Sequence, residues 1–153
     1  MIYWFTGQPG AGKTTLAKAL KETLEMQNSK EVMHIDGDDI RSIFNNTDYS
    51  RAGREKNIQL AQQISHFLSI KGLDVVVSLV SPYLEQREEF KKRMGSSLQE
   101  IYVHTTEIRG REKFHVEDYE KPETNFIEVD TTNTSIISSL NQFYDQKIFP
   151  FHR

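Results

Sequence analysis

The stretch Met1-Ile2-Tyr3-Trp4-Phe5-Thr6-Gly7-Gln8-Pro9-Gly10-Ala11-Gly12-Lys13-Thr14-Thr15 decides the fold. Met1 to Phe5 reads as a short apolar strand that runs directly into the pattern G-x-x-x-x-G-K-[ST], here Gly7 to Thr14. In that pattern glycines let backbone N–H groups face phosphate oxygens, the lysine reaches the β and γ phosphates, and the hydroxyl holds Mg²⁺. Leu16, Leu20 and Leu24 then recur four apart, so a helix with one apolar face follows. Such a helix aims its N-terminal dipole and free N–H groups at the anion. A glycine-rich turn without a ligand would leave this agreement of strand, loop and helix unexplained. The stretch is expected to hold a nucleoside triphosphate through Gly7, Gly10, Ala11, Gly12, Lys13, Thr14 and Thr15, with Thr14 as a Mg²⁺ ligand.

Outward from this loop, strand and helix patterns alternate, which predicts an α/β fold: a parallel sheet with helices on both faces. Strands are expected at Met1 to Phe5, Glu31 to Ile35, Leu73 to Val80, Glu100 to His104 and Asn125 to Val129. Helices are expected near Lys13 to Met26, Asp39 to Asn45, Gly53 to Lys71, Leu84 to Met94 and Ser135 to Tyr144. Gly72 and Gly95 stand where C-terminal caps belong, and Ser135 where an N-cap belongs. The segment from Thr105 to Pro122 is charge-rich and aperiodic, carrying Arg109, Arg111 and Lys113 with Glu112, Glu117, Asp118 and Glu120. It reads either as a lid over the nucleotide, with Arg111 on the nucleotide side, or as a solvated loop.

The 153 residues suit a single domain. No cysteine is present, which excludes disulfides and thiolate metal sites and is compatible with a reducing cytoplasm. His34, His66, His104, His115 and His152 are scattered, without zinc-site spacing. The chain begins at once with its first strand, so no export leader is expected, and no apolar run is long enough for a membrane span. A net charge of −3 with dispersed basic residues argues against a polynucleotide partner and for a small anion.

Asp36-Gly37-Asp38-Asp39, followed by Arg41, closes the second strand. Ligands of open α/β sheets bind outside the carboxyl ends of the strands, so these carboxylates should lie beside the phosphate loop. Phosphoryl transfer needs a metal clamp, a positioned acceptor hydroxyl and often a carboxylate to take its proton. Asp38 is the candidate base and Asp36 a metal-water or orienting partner, with the two roles interchangeable at this level. Asp39 is expected to cap the following helix. Tyr49-Ser50, Arg54 and Asn57 gather an aromatic ring, a guanidinium and an amide at a helix entry, where they can stack on a base and grip an anion. Taken singly, each also has an ordinary structural explanation. The third strand ends in Val80-Ser81-Pro82-Tyr83, where Pro82 stops the ladder and Tyr83 is free to pack rather than bind.

In this order, these residues resemble the adenylylsulfate kinase family, which moves the ATP γ-phosphate to the 3′-hydroxyl of adenosine 5′-phosphosulfate. Glu100-Ile101-Tyr102-Val103 and Tyr119-Glu120-Lys121-Pro122 fall in family order as well. The resemblance covers nearly the whole chain and implies a three-layer P-loop kinase domain over 1–153 with a short lid over 105–122. It implies ATP and Mg²⁺, with Asp38 as a metal-linked base and Lys13 on the transferred phosphate. Arg41, Arg54 and Asn57 would bind the anionic and ribose groups of the acceptor. Tyr49 would stack on its base against a facing Phe114, and the Ser81 segment would touch it through its backbone. Family members often form homodimers, which is an expectation here.

Four departures stand out. Pro9 replaces the family's usual loop serine, and Gly53 its aspartate before the binding arginine. Lys56-Asn57-Ile58-Gln59-Leu60 stands where the family commonly has Glu-Asn-Ile-Arg-Arg. The lid's Lys-Gly-Leu-Tyr stretch and following helix have no counterpart between Arg111 and Phe114. The short lid keeps other acceptors open, such as a cytidine diphosphoramidate, a nucleoside or a sugar. A nucleotide-dependent switch is a third reading, but it lacks an N-K-x-D signature and leaves the paired aspartates without a role.

Overall fold

A computed structural model describes residues 1–148. His152, and the last residues of the domain expected over 1–153, lie outside the described residues. Strand β1 (Ile2–Thr6) is buried along its whole length. Ile2 and Trp4 face one helical layer while Tyr3 and Phe5 face the other. A strand covered on both sides needs apolar residues at successive positions, which is why Ile-Tyr-Trp-Phe is a run and not an alternation.

The described residues form five parallel strands in the order β2 (Val32–Asp36), β3 (Asp74–Ser78), β1, β4 (Leu98–His104) and β5 (Ile127–Asp130). Helices α1 (Lys13–Asn28) and α5 (Ile136–Ile148) cover one face, with Leu16, Leu20, Leu24 and Phe143 packed on Tyr3, Phe5, Val76 and Val103. Helices α2 (Gly37–Ile43), α3 (Arg51–Ile70) and α4 (Leu84–Met94) cover the other, bringing Ile40, Ile58, Ala61 and Phe90 onto Trp4, Val75 and Val77. This is the three-layer α/β arrangement that the alternation implies. Because β1 lies between β3 and β4, the loop after it emerges at the centre of the sheet's carboxyl edge, where chain connections diverge and leave a crevice.

Gly72 bears out its cap assignment, with φ at 85° and the paired N–H bonds Gly72 to Ser69 and Leu73 to Leu68 that close a Schellman motif. Ser135 also caps α5, its hydroxyl accepting the Ser138 N–H at 3.1 Å. Most element boundaries shift by one or two residues from expectation, with β4 starting at Leu98 and β5 at Ile127, while α5 runs on to Ile148; three shifts bear on the site. Helix α2 starts at Gly37, so its N-cap position is Asp36, which makes no side-chain cap bond, and Asp39 lies in the first turn. A Cβ on Gly37 would come within 2.8 Å of the Leu79 Cβ, so glycine lets the helix begin directly off the strand. Helix α3 starts at Arg51, because the Ser50 hydroxyl caps it by accepting the Gly53 N–H. The β3 ladder ends at Ser78, and the Thr6 hydroxyl then bonds the Val80 and Ser81 carbonyls as the chain turns away.

One ion network ties the layers beneath this turn. Arg87 of α4 and Glu100 of β4 pair at 2.9 Å with both side chains 1% exposed. Arg87 also donates to the Ser81 carbonyl at 2.6 Å and to the Glu120 carbonyl, while Lys91 bridges Glu100 to the Thr124 carbonyl. The network thus fixes the turn after β3 and the chain leading into β5 at once. Removing one partner of a buried pair strands the other charge, at a cost of about 3–5 kcal/mol. Glu100→Ala is therefore expected to lose stability on that scale in urea unfolding, and Arg87→Met with Glu100→Leu to lose less than the two single changes combined. A Glu100→Ala chain within about 1 kcal/mol of the parent would contradict this account of the turn.

Candidate functional site

The loop from Gly7 to Gly12 turns between β1 and α1 with Gly10 at φ 85° and Gly12 at φ 103°. These left-handed values are ones that residues with a Cβ rarely adopt, so the glycines are required for the curl of the loop. Gly12 occupies the N-cap position of α1 without a side-chain cap, and the first-turn N–H groups keep no intrahelical partner. They border a cleft of about 980 Å³ that opens at the carboxyl edge of the sheet.

Gly10, Gly12, Lys13, Thr14 and Thr15 line this cleft, and so do Asp36, Asp38, Arg41, Tyr49, Arg54, Asn57, Ser81, Arg111 and Phe114. The fold therefore brings together every proposed site residue except Gly7 and Ala11. Gly7 is held against the strand, where a Cβ would meet the Val103 carbonyl oxygen at 2.2 Å. Ala11 is 2% exposed and packs in the core, presenting only its carbonyl to Thr131 and Arg109. Both shape the loop without bordering the cleft.

Lys13 is buried, and its ammonium donates to the Gln8 carbonyl at 2.9 Å. Burial pulls its pKa down to about 8; Asp36 and Asp38 oppose that shift while Arg111 adds to it. Asp36 is half-buried, and burial together with the neighbouring Asp38 raises its carboxyl above the usual range. Asp36, Asp38 and Thr14 line the same cleft, and their oxygen atoms are of the kind that fits a hard divalent cation bound partly through phosphates and water. Among the described residues no group of three His, Cys, Asp or Glu forms a self-sufficient metal site. That is consistent with a cation that takes most of its ligands from a bound triphosphate.

The opposite half of the cleft comes from α2, α3 and the chain before it. Arg41 stacks on the Tyr49 ring at 4.0 Å and donates to the Asn46 and Asp48 carbonyls, so it braces the loop that presents Tyr49. The sequence pattern points to anion binding for Arg41 but gives no sign of this bracing. Gly53 suits the same loop, since a Cβ there would meet the Asp48 carbonyl oxygen at 2.1 Å. Asn57 is 5% exposed; its amide donates to the Gly37 carbonyl at 3.3 Å while its Oδ1 has no partner. A buried acceptor facing a cleft without a donor carries an energetic cost that a bound hydroxyl or amine would relieve. Ser81 adopts a left-handed φ of 49°, its hydroxyl accepts from the Trp4 indole at 3.3 Å, and its carbonyl is taken by Arg87 and Thr6. Tyr83 packs, as anticipated, 1% exposed beneath the Arg51 guanidinium.

The charged segment after β4 returns over the phosphate loop. Arg109 donates to the carbonyls of Gly10, Ala11 and Thr131 and pairs with Glu107, while Arg111 and Lys113 lie over the Phe114 ring at 5.3 and 5.1 Å. Arg109, Lys113, His115 and Val116 all border the cleft. Their places were hidden in the sequence because nothing in a run of mixed charge distinguishes a guanidinium that binds loop carbonyls from one in water.

Comparison with known proteins agrees with this geometry. The sequence profile of the family described as adenylylsulphate kinase matches residues 1–132. The adenylyl-sulfate kinase of Picosynechococcus sp. is 42% identical over 101 residues, covering 65% of this chain and 56% of that protein. The chain thus aligns with little more than half the length of that curated relative. The structure of Mycobacterium tuberculosis APS kinase CysC in complex with AMPPNP and APS superposes with a TM-score of 0.79 at 20% identity, covering 94% of this chain and 95% of that one. A hexameric APS kinase from Thiobacillus denitrificans superposes with a TM-score of 0.76 at 25% identity, covering 97% of this chain and 29% of that one. With the profile spanning most of its length and the cleft built from the residues that carry the resemblance, the chain belongs to the adenylylsulphate kinase family.

Proposed function

We propose that this chain transfers the γ-phosphate of ATP to the 3′-hydroxyl of adenylylsulfate, in a domain whose 105–122 segment acts as a short lid. The observation that carries the reading is one cleft with a phosphate-binding half and, facing it, a half with an aromatic ring, two guanidinium groups and an unpaired buried amide oxygen. Such a cleft suits a donor and an acceptor that are both anionic nucleotides. Relatives named for adenylyl-sulfate kinase support that acceptor over a cytidine diphosphoramidate or a sugar, and the paired aspartates favour transfer over a switch.

The residue roles follow from their chemistry. The loop N–H groups and Lys13 hold the triphosphate, which draws the ammonium off the Gln8 carbonyl. Thr14 and Asp38 would hold Mg²⁺, which would supply positive charge against the charge built up in transfer. Asp38, on the first turn of α2, takes the proton of the acceptor hydroxyl, and Asp36 is its orienting partner. Asn57 Oδ1 accepts from a ribose hydroxyl, Arg54 binds the acceptor's anionic group, and Tyr49 and Phe114 flank its base. No helix among the described residues is long and apolar enough to cross a membrane. The reading places the activity in the cytoplasm.

The reading is tested by ADP formation from ATP and Mg²⁺ with adenylylsulfate, cytidine diphosphoramidate, nucleosides and sugars in parallel. Adenylylsulfate should stimulate ADP formation far above background, and stimulation by none of them would remove the kinase assignment. Asp38→Asn should lower kcat by about 10²–10⁴-fold while ATP affinity changes little. Retained turnover would take Asp38 out of the base role. The Lys13 ammonium must be charged to attract phosphate, and its charge is lost as pH rises through about 8. In the parent, kcat/KM for ATP should accordingly fall above about pH 8, since that ratio reports free-enzyme ionisation. Lys13→Arg should abolish that alkaline limb, whatever its effect on the absolute rate, because a guanidinium stays charged throughout the range. A limb that persists in Lys13→Arg would assign it to another group.

A further inference from the structure

Gln8 belongs to the phosphate loop, yet its side chain leaves the loop altogether. Its Nε2 donates to the Val116 carbonyl at 2.8 Å, and its Oε1 accepts the Val116 N–H at 2.8 Å. One primary amide thus satisfies both polar groups of a backbone residue far along the chain, as a neighbouring strand would. Val116 is buried, and directly before it stand Phe114 and His115, which border the cleft. The Gln8 carbonyl meanwhile accepts the Lys13 ammonium at 2.9 Å and the Ala11 N–H at 3.2 Å. The main chain of Gln8 therefore holds the donor-side lysine, and its side chain holds the opposite wall.

Between the Arg109 contacts with the loop and Tyr119, the Gln8 amide makes the one side-chain tie from the loop or the sheet to this wall among the described residues. Phe114 is 54% exposed, and the short turn Glu112–Phe114 is closed by local N–H bonds to the Arg111 and Glu112 carbonyls and by the Arg109 N–H to the Glu112 carboxylate. The next tie to the sheet is the Thr6 hydroxyl against Tyr119 at 2.8 Å, with burial keeping that phenol protonated. The geometry points to Gln8 as a positioning residue that locks the short lid segment onto the phosphate loop and so preforms the wall on which the acceptor binds. This assignment rests on the kinase reading of the cleft. Without the amide, the acceptor itself would have to order Phe114 and His115, and binding would bear that entropy. The loss is the same in the ground and transition states, so it falls on acceptor KM and leaves kcat alone.

The test uses the full chain with Gln8→Leu and Gln8→Met; the second keeps the side chain's length and removes its polar groups without adding charge. Both should raise KM for adenylylsulfate about 5–30-fold, the scale set by losing one or two hydrogen bonds. Both should leave kcat and the KM for ATP within about threefold of the parent. In the same proteins, hydrogen exchange at the Val116 amide should be at least about tenfold faster in Gln8→Leu. Parent-like exchange at Val116 would overturn the assignment. So would faster exchange with an unchanged acceptor KM, or a loss confined to kcat. If the parent itself fails to turn over adenylylsulfate, the activity reading falls alone, and exchange at Val116 still decides whether Gln8 holds the segment.

Discussion

A buried ammonium is the constraint around which this site is organised. Lys13 lies inside the phosphate loop and donates to the Gln8 carbonyl; burial lowers its pKa to about 8, and Asp36 and Asp38 oppose that shift. Asp36 is itself raised, by its burial first and by Asp38 beside it. A triphosphate with a divalent cation would suit both groups: phosphate oxygens would satisfy the ammonium, and the cation would offset the charge of the carboxylates. The site is thus suited to a polyanion with its metal more than to a neutral ligand.

Holding that arrangement requires the rest of the fold. Parallel strands bring β1, β2 and β3 to one edge, so the loop, the aspartates and the Ser81 turn meet there despite their separation in sequence. The Arg87–Glu100–Lys91 network then fixes the Ser81 turn and the chain at Glu120 and Thr124 from below. From above, Arg109 binds loop carbonyls and Gln8 binds Val116. The short segment between β4 and β5 is clamped at several points by side chains that reach it from the sheet and the loop. Such clamps hold a segment that forms no long helix or strand of its own.

Some of this was legible in the residues and some was not, for physical reasons. The order of strands and helices followed from apolar periodicity, and the phosphate loop from backbone geometry that only glycine permits. Asp36 and Asp38 could be placed because open parallel sheets bind ligands at a known edge, while Arg54 and Asn57 took their place from the family resemblance. Helix starts were missed by two residues at α2 and α3, because the caps depend on close backbone approach: Gly37 on Leu79, and Asp48 on Gly53. The Gln8 pairing and the Arg109 contacts were invisible, since both are side chains meeting backbone about a hundred positions away. A buried salt bridge between Arg87 and Glu100 likewise leaves no local pattern, although both residues stand in otherwise readable elements.

The most direct measurement is the identity of the product formed from ATP, Mg²⁺ and adenylylsulfate, by mass spectrometry and phosphorus NMR. The account predicts a gain of one phosphoryl group on the acceptor as a ribose 3′-monoester, appearing in step with ADP. ADP accumulating with inorganic phosphate while the acceptor stays unmodified, or a phosphoryl group at another position, would contradict it.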